Sequence, residues 1–195
     1  MTLASIGKPA GDDRGGRTAF QGVHGAFSHE ACVALRPWDE HVPFETFAEA
    51  INAVKSGNCG CALIPVENST IGTVEPAASL VAGSGLPIIA DVWRPIRMAL
   101  MSVHGAQIEG IRSVSSHPAA LGQCVATLQA LGVEIVEAFD TAGAARDVAE
   151  RGDRSRAALA PVAAAEVYGL TILRHDVQDS DQNRTRFVLL CQETG

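Results

Sequence analysis

The chain lacks the long apolar runs, the localised positive charge and the cysteine pairs that would place it in several common classes. No stretch of its 195 residues approaches the ~18 consecutive apolar residues of a membrane-spanning helix. Met1 to Arg17 carries Gly-Asp-Asp-Arg-Gly-Gly-Arg where a secretory signal would have an apolar core, so this segment is read as a mobile tail and the protein as cytoplasmic. Lysine and arginine together number 15 against 22 acidic residues, a net charge of −7, which leaves no electrostatic footprint for nucleic acid. The five cysteines, Cys32, Cys59, Cys61, Cys124 and Cys191, contain no CxxC and are expected to be small buried hydrophobes in a reducing compartment. On an extended chain Cys59 and Cys61 would share one face.

Catalytic signatures are missing too. The six histidines show no HxxxH or HExxH spacing, so no metal centre is expected. No Gly-x-Ser-x-Gly nucleophile elbow occurs, and no Gly-x-Gly-x-x-Gly follows a strand. Gly22-x-x-Gly25 is not followed by Gly-Lys-Ser/Thr and so is not a P-loop. The chain offers no handle for a cofactor.

What is present is a globular composition, 47% hydrophobic, in which short apolar runs alternate with helical patterns. Strand signals lie at 18–21, 42–45, 59–66, 88–101, 111–115, 134–139, 157–160, 172–173 and 185–191. Helices are predicted at 28–36, 46–55, 73–81, 118–130, 141–150 and 161–168. Thr46-x-x-Glu49 is a capping-box pattern, Pro118 suits a first helical turn, and Asp140 suits an N-cap. The continuous apolar run from Cys59 to Val66 reads as a strand buried on both faces of a parallel sheet. The predicted class is α/β with mainly parallel sheets.

In such sheets ligands bind beyond the C-terminal strand ends. Marked polar segments fall there: Gly22-Val23-His24-Gly25, Glu67-Asn68-Ser69, Ser116-His117-Pro118 and Asp140-Thr141. Near the C-terminus, Asp181-Gln182-Asn183-Arg184-Thr185-Arg186-Phe187 runs straight into the apolar Val188-Leu189-Leu190. Hydroxyls, amides and arginines at strand ends suit recognition of a small oxygen-rich anion. Each segment also has a purely structural reading, as a turn, a helix cap or an edge strand.

Taken together and in order, these segments resemble the catalytic domain of the prephenate dehydratase family. The stretches that carry the resemblance are Phe20-Gln21-Gly22-x-x-Gly25-x-Phe27-Ser28, Pro65-Val66-Glu67-Asn68-Ser69-x-x-Gly72-x-Val74 and Ser116-His117-Pro118-x-Ala120-Leu121-x-Gln123-Cys124. They continue with Asp140-Thr141-Ala142-Gly143-x-Ala145, Ala163-Ala164-Ala165-Glu166-x-Tyr168-Gly169-Leu170 and Asn183-x-Thr185-Arg186-Phe187. The resemblance implies two α/β lobes like those of type II periplasmic binding proteins, with the active site in the cleft between them. Lobe 1 would take residues 18–94 and 178–195, and lobe 2 residues 95–177. It further implies decarboxylating dehydration of prephenate to phenylpyruvate, on the route to phenylalanine, with no cofactor.

By the same resemblance Thr185 is the residue tied to catalysis and Arg186 holds a substrate carboxylate. Asn68, Ser69, Ser116, Gln123, Thr141 and Phe187 complete the implied substrate site. Backbone N–H groups near Ser69 and Thr141 would receive the second carboxylate. Because Thr185 and Arg186 are adjacent, an extended backbone sends their side chains to opposite sides, so both reach one ligand only if the chain bends. Met98 stands where members usually have a histidine. Members usually continue into a phenylalanine-binding ACT domain, and no such domain is expected within these 195 residues. The implied partner is a small dicarboxylate, with no nucleic acid or membrane and a possible homodimer. Prephenate decarboxylases, which lack the Thr-Arg-Phe motif, arogenate as substrate, and a non-catalytic anion-binding module are the alternative readings.

Overall fold

A computed structural model describes residues 16–192, so the expectation of a mobile tail, up to residue 15, lies outside the described residues. The chain divides into two compact units. Unit 1 takes its described residues from 16–23, 28–95 and 183–192, and unit 2 comprises 24–27 and 96–182. The return to unit 1 comes at Asn183, later than the expected position near residue 178, because residues 177–179 are tied into unit 2. Val177 N–H donates to Met98 O, Gln178 Oε1 accepts from Met98 N–H at 3.0 Å, and Asp179 N–H donates to Gln123 O.

In unit 1, strands β1 (Arg17–Gln21), β2 (Glu40–Phe44), β3 (Cys61–Asn68), β4 (Gly72–Thr73), β5 (Ile88–Pro95) and β11 (Arg184–Cys191) form one sheet. Its order is β2-β1-β3-β11-β5, with β4 beside β3. Helices α1 (Phe27–Leu35), α2 (Phe47–Lys55) and α3 (Ala77–Ala82) accompany it. In unit 2 the sheet runs β10-β6-β9-β7-β8, built from β6 (Ala99–Ser102), β7 (Ser113–Ser116), β8 (Glu134–Glu137), β9 (Arg156–Ala160) and β10 (Thr171–Arg174). Its helices are α4 (Pro118–Leu121), α5 (Val125–Leu131), α6 (Thr141–Arg151) and α7 (Val162–Tyr168).

The α/β class holds, but the sheets are mixed rather than mainly parallel. β1 pairs parallel with β2 and β3, whereas β11 is antiparallel to both β3 and β5. In unit 2 β7 is parallel to β8 and β9, while β6 is antiparallel to β9 and β10. The apolar run at β3 pairs parallel with β1, as expected, and antiparallel with β11; burial on both faces erases the alternation that marks an antiparallel strand with one wet face. Here both faces are covered. Phe20, Leu63, Phe187 and Leu189 pack with Cys32 and Leu35 of α1 on one side. Ile64, Val188 and Leu190 pack with Ile51 and Val54 of α2 on the other. Each fully buried Leu, Ile or Phe contributes about 1.5–3 kcal/mol.

Local signals mostly act as expected. Thr46 Oγ1 accepts from Glu49 N–H while Glu49 Oε2 accepts from Thr46 N–H, which closes the capping box of α2. Asp140 caps α6 by accepting from Gly143 N–H at 2.6 Å. The predicted strand at 88–101 is two strands, one in each unit, separated by Ile96-Arg97-Met98. The predicted helix at 118–130 breaks at Gly122–Cys124, and α3 starts at Ala77 because Gly72–Thr73 pairs with β3 as β4.

The cysteine reading needs correction. Cys61 and Cys191 face each other in the β3–β11 register and are joined as a disulfide. Cys59 precedes β3 and packs against α2, on the face opposite Cys61, so the two do not share a side. Cys32, Cys59 and Cys124 are free and buried, and burial pushes the Cys124 thiol up to about 12.

Candidate functional site

The polar ends of β3 and β11 meet in unit 1. The antiparallel register sets Thr185 opposite Asn68, and Arg186 opposite Glu67. Beyond Asn68 the chain turns sharply into β4, and the Asn68 side chain makes that turn. Its Oδ1 accepts from Thr70 N–H at 2.9 Å and from Ile71 N–H at 3.2 Å. Two backbone donors on one atom fix which end of the amide is oxygen. The Nδ2 group must then point the other way, and it donates to Thr185 Oγ1 at 2.9 Å and to Asn183 Oδ1 at 2.8 Å. All four hydrogen-bonding positions of Asn68 are therefore occupied by protein.

This has a direct consequence for Thr185, which is 8% exposed. Its oxygen accepts from Asn68, so its own proton is directed away from the amide and is left to donate. Asn183, itself buried, holds Asn68 in place, with Thr70 Oγ1 3.5 Å from the same Asn183 oxygen. Ser69 locks the other strand. Its N–H donates to Arg184 O, and its Oγ accepts from Arg184 N–H, both at 2.9 Å. The Ser69 N–H is thus not the expected donor to a substrate carboxylate.

Arg186 lies on the opposite face of the sheet from Thr185. Its guanidinium forms a fork onto Asp91, Nε to Oδ1 at 2.8 Å and Nη2 to Oδ2 at 2.5 Å, and Nη1 reaches Glu67 Oε2 at 3.3 Å. The pairing with Arg186 holds the Asp91 carboxyl below its ordinary value. The bend that would have let Thr185 and Arg186 share a ligand does not occur between them: the β3–β11 register slips one residue later, between Arg186 and Phe187. The expected carboxylate-holding role of Arg186 is withdrawn on this geometry, since both of its donor edges carry protein carboxylates. Phe187 is 2% exposed and belongs to the core beside Phe20 and Leu63, so it is not a substrate contact either.

The remaining expected residues belong to unit 2. Ser116 is fully buried and its Oγ donates to Leu159 O at 2.6 Å, a bond that ties β7 to β9. Gln123 lies in the break between α4 and α5, half-buried, and its carbonyl receives Asp179 N–H. Thr141 opens α6. The Asp140 carboxylate already occupies the Gly143 donor of that turn, which works against an anion there. Met98 is buried and lies 3.6 Å from the sulfur of Cys124. Alongside the start of α6 runs a groove of about 430 Å³ bordered by Phe139, Asp140, Arg146, Arg151 and Arg156. Among the described residues no cluster of His, Cys, Asp and Glu could hold a metal ion, and no helix is long and apolar enough to cross a membrane.

The sequence reading missed Asn183 as the anchor of Asn68, and Glu67 and Asp91 as partners of Arg186. Strand alternation pointed to the last, since it sets Arg186 on the face away from Thr185.

Comparison with known proteins bears on what this arrangement serves. Residues 18–195 match the family model described as prephenate dehydratase. Arogenate dehydratase/prephenate dehydratase 1, chloroplastic, of Arabidopsis thaliana is 39% identical over 193 residues, covering 99% of this chain and 49% of that protein. The bifunctional N-acyl-homoserine lactone acylase/prephenate dehydratase of Komagataeibacter europaeus is 38% identical over 171 residues, 88% of this chain and 61% of that protein. Among solved structures, prephenate dehydratase from Arthrobacter aurescens in complex with L-Phe superposes with a TM-score of 0.80 at 28% identity, covering 92% of this chain and 61% of that one. The chain spans about half the length of the Arabidopsis relatives it matches.

Proposed function

Because the chain belongs to the prephenate dehydratase family, we propose that it converts prephenate to phenylpyruvate by decarboxylating dehydration. The observation that carries this reading is the Thr185 hydroxyl, held by Asn68 with its proton free to donate. The reaction gains an aromatic ring, so its driving force is intrinsic. The protein's task is to hold a dianion, assist departure of the ring hydroxyl and let the ring carboxylate leave as CO2.

Thr185 would donate to the departing hydroxyl oxygen. A threonine hydroxyl is far too weak an acid to protonate it outright near neutral pH, so its contribution is stabilisation of the developing hydroxide and orientation of the ring. Asn68 and Asn183 act through Thr185 as positioning residues and do not bind substrate. Ser69 secures the ends of the two strands that carry them. Within unit 2, Ser116 supports the strand that precedes α4. Association as a homodimer remains part of the proposal, supported by the family resemblance alone.

Arogenate is the second reading. It is favoured by the Arabidopsis relative, an arogenate dehydratase/prephenate dehydratase, and it shares with prephenate the ring hydroxyl and the ring carboxylate that Thr185 chemistry needs. The test is incubation of the purified protein with prephenate and, separately, with arogenate, followed by product mass and ultraviolet spectrum. Phenylpyruvate from the first supports the proposal. A non-aromatic decarboxylated product, or unchanged prephenate with arogenate consumed, overturns it.

A further inference from the structure

With Arg186 bound to two carboxylates, the face of the sheet that carries Thr185 needs another cation if it is to meet a dianion in a chain of net charge −7. The ladder supplies one. Residues directly opposite in adjacent strands share a face with their Cβ atoms roughly 5 Å apart. Thr185 faces Asn68 on β3 and Arg94 on β5. Arg186 faces Glu67 and Trp93, on the other side. The assignment of faces agrees with the packing, because Phe187 and its partner Val92 both belong to the α1-side core.

Arg94 is half-buried on an edge strand, and among the described residues its guanidinium has no ion pair or hydrogen bond. The other described arginines of unit 1 differ. Arg17 pairs with Glu40, Arg36 with Asp39, and Arg186 with Asp91 and Glu67. Arg184 is exposed and, two residues from Arg186, falls on the Arg186 side of the strand. An unpaired guanidinium covered in part by protein costs desolvation unless something answers its charge.

We propose that Arg94 holds the oxo-acid carboxylate of the substrate while Thr185 serves the ring hydroxyl. This rests on the prephenate reading above. The chemistry selects which of the two carboxylates Arg94 takes. The ring carboxylate must lose its charge as CO2, so a cation gripping it would stabilise the ground state and slow the reaction. The oxo-acid carboxylate survives unchanged, and holding it costs nothing at the transition state. Hydroxyl and oxo-acid arm leave opposite ends of the six-membered ring. The long arginine side chain, rooted one strand away from Thr185, can span that separation with two parallel N–H donors.

The test is prephenate binding, measured by calorimetry in a Thr185→Ala background so that turnover does not interfere. Arg94→Gln is expected to weaken binding at least ~10-fold, the loss of one charge-assisted contact. Arg94→Lys should recover part of it, and the melting temperature should stay unchanged. In otherwise wild-type protein Arg94→Gln raises KM with kcat nearly unaltered, a split that a merely structural role would not produce. Undiminished prephenate affinity in Arg94→Gln overturns the assignment. Binding that depends on Arg94 in a protein whose wild-type form yields no phenylpyruvate supports the assignment and overturns the dehydratase reading instead.

Discussion

Thr185 and Arg186 are neighbours in one strand and belong to different environments. Thr185 faces the α1 side, where Asn68 and Asn183 hold its oxygen and leave its proton for a ligand. Arg186 faces the α2 side, where Asp91 and Glu67 occupy its guanidinium. A motif written as three adjacent letters thus divides into a reactive hydroxyl, a strand brace and, at Phe187, a core residue. Strand geometry makes the division, because successive side chains alternate between faces and the local slip in register comes after Arg186.

The sharpest way to break the comparison is Thr185→Ala. Loss of one transition-state donor should lower kcat on the order of 10²–10³-fold with KM nearly unchanged, measured by phenylpyruvate formation. Removing the Cys61–Cys191 disulfide tests the ladder apart from either face, since it joins β3 to β11 at the end opposite Asn68 and Thr185. Cys61→Ser with Cys191→Ser should cost about 2–4 kcal/mol in denaturant unfolding and leave kcat within a few-fold. Asn68→Ala should reduce kcat about 10- to 100-fold through misplacement of the Thr185 hydroxyl.

The brace side predicts smaller effects. Arg186→Lys loses the fork onto Asp91 and should lower the melting temperature by a few degrees at most, because the pair is substantially exposed, while kcat holds. Acid adds a check with a definite sign. The folded Asp91 carboxyl is held below its unfolded value by Arg186, so the stability it contributes is present above the ordinary carboxylate range. That contribution disappears as pH falls through the lowered folded value. In Asp91→Asn the acid limb of the stability curve should be shallower than in the wild type, a difference thermal melts at descending pH would register.

Much of the layout was legible in the sequence for reasons that are local. The capping box at Thr46 and Glu49 and the cap at Asp140 involve contacts within one turn, and both formed as read. The polar strand ends at Asn68 and Thr185 also came together, which ordered motifs could indicate without saying how. What escaped depends on pairing partners distant in sequence. Nothing near Cys61 announces that it sits opposite Cys191, 130 residues away. Nothing near Asn183 announces that it anchors Asn68, and the occupation of Arg186 is decided by Asp91 on a strand 95 positions earlier. A doubly covered β3 gave no alternation from which to read its antiparallel neighbour β11.

Thr185 and Arg186, neighbours on β11, have separate jobs. Steady-state kinetics on prephenate for Thr185→Ala and Arg186→Lys, measured side by side with thermal melts, tests this division most directly. Thr185→Ala is expected to lose kcat by two to three orders of magnitude while melting only a few degrees earlier, and Arg186→Lys to keep kcat and KM while melting slightly earlier. A large rise in KM in Arg186→Lys at an unchanged melting temperature, or full kcat in Thr185→Ala, would contradict it.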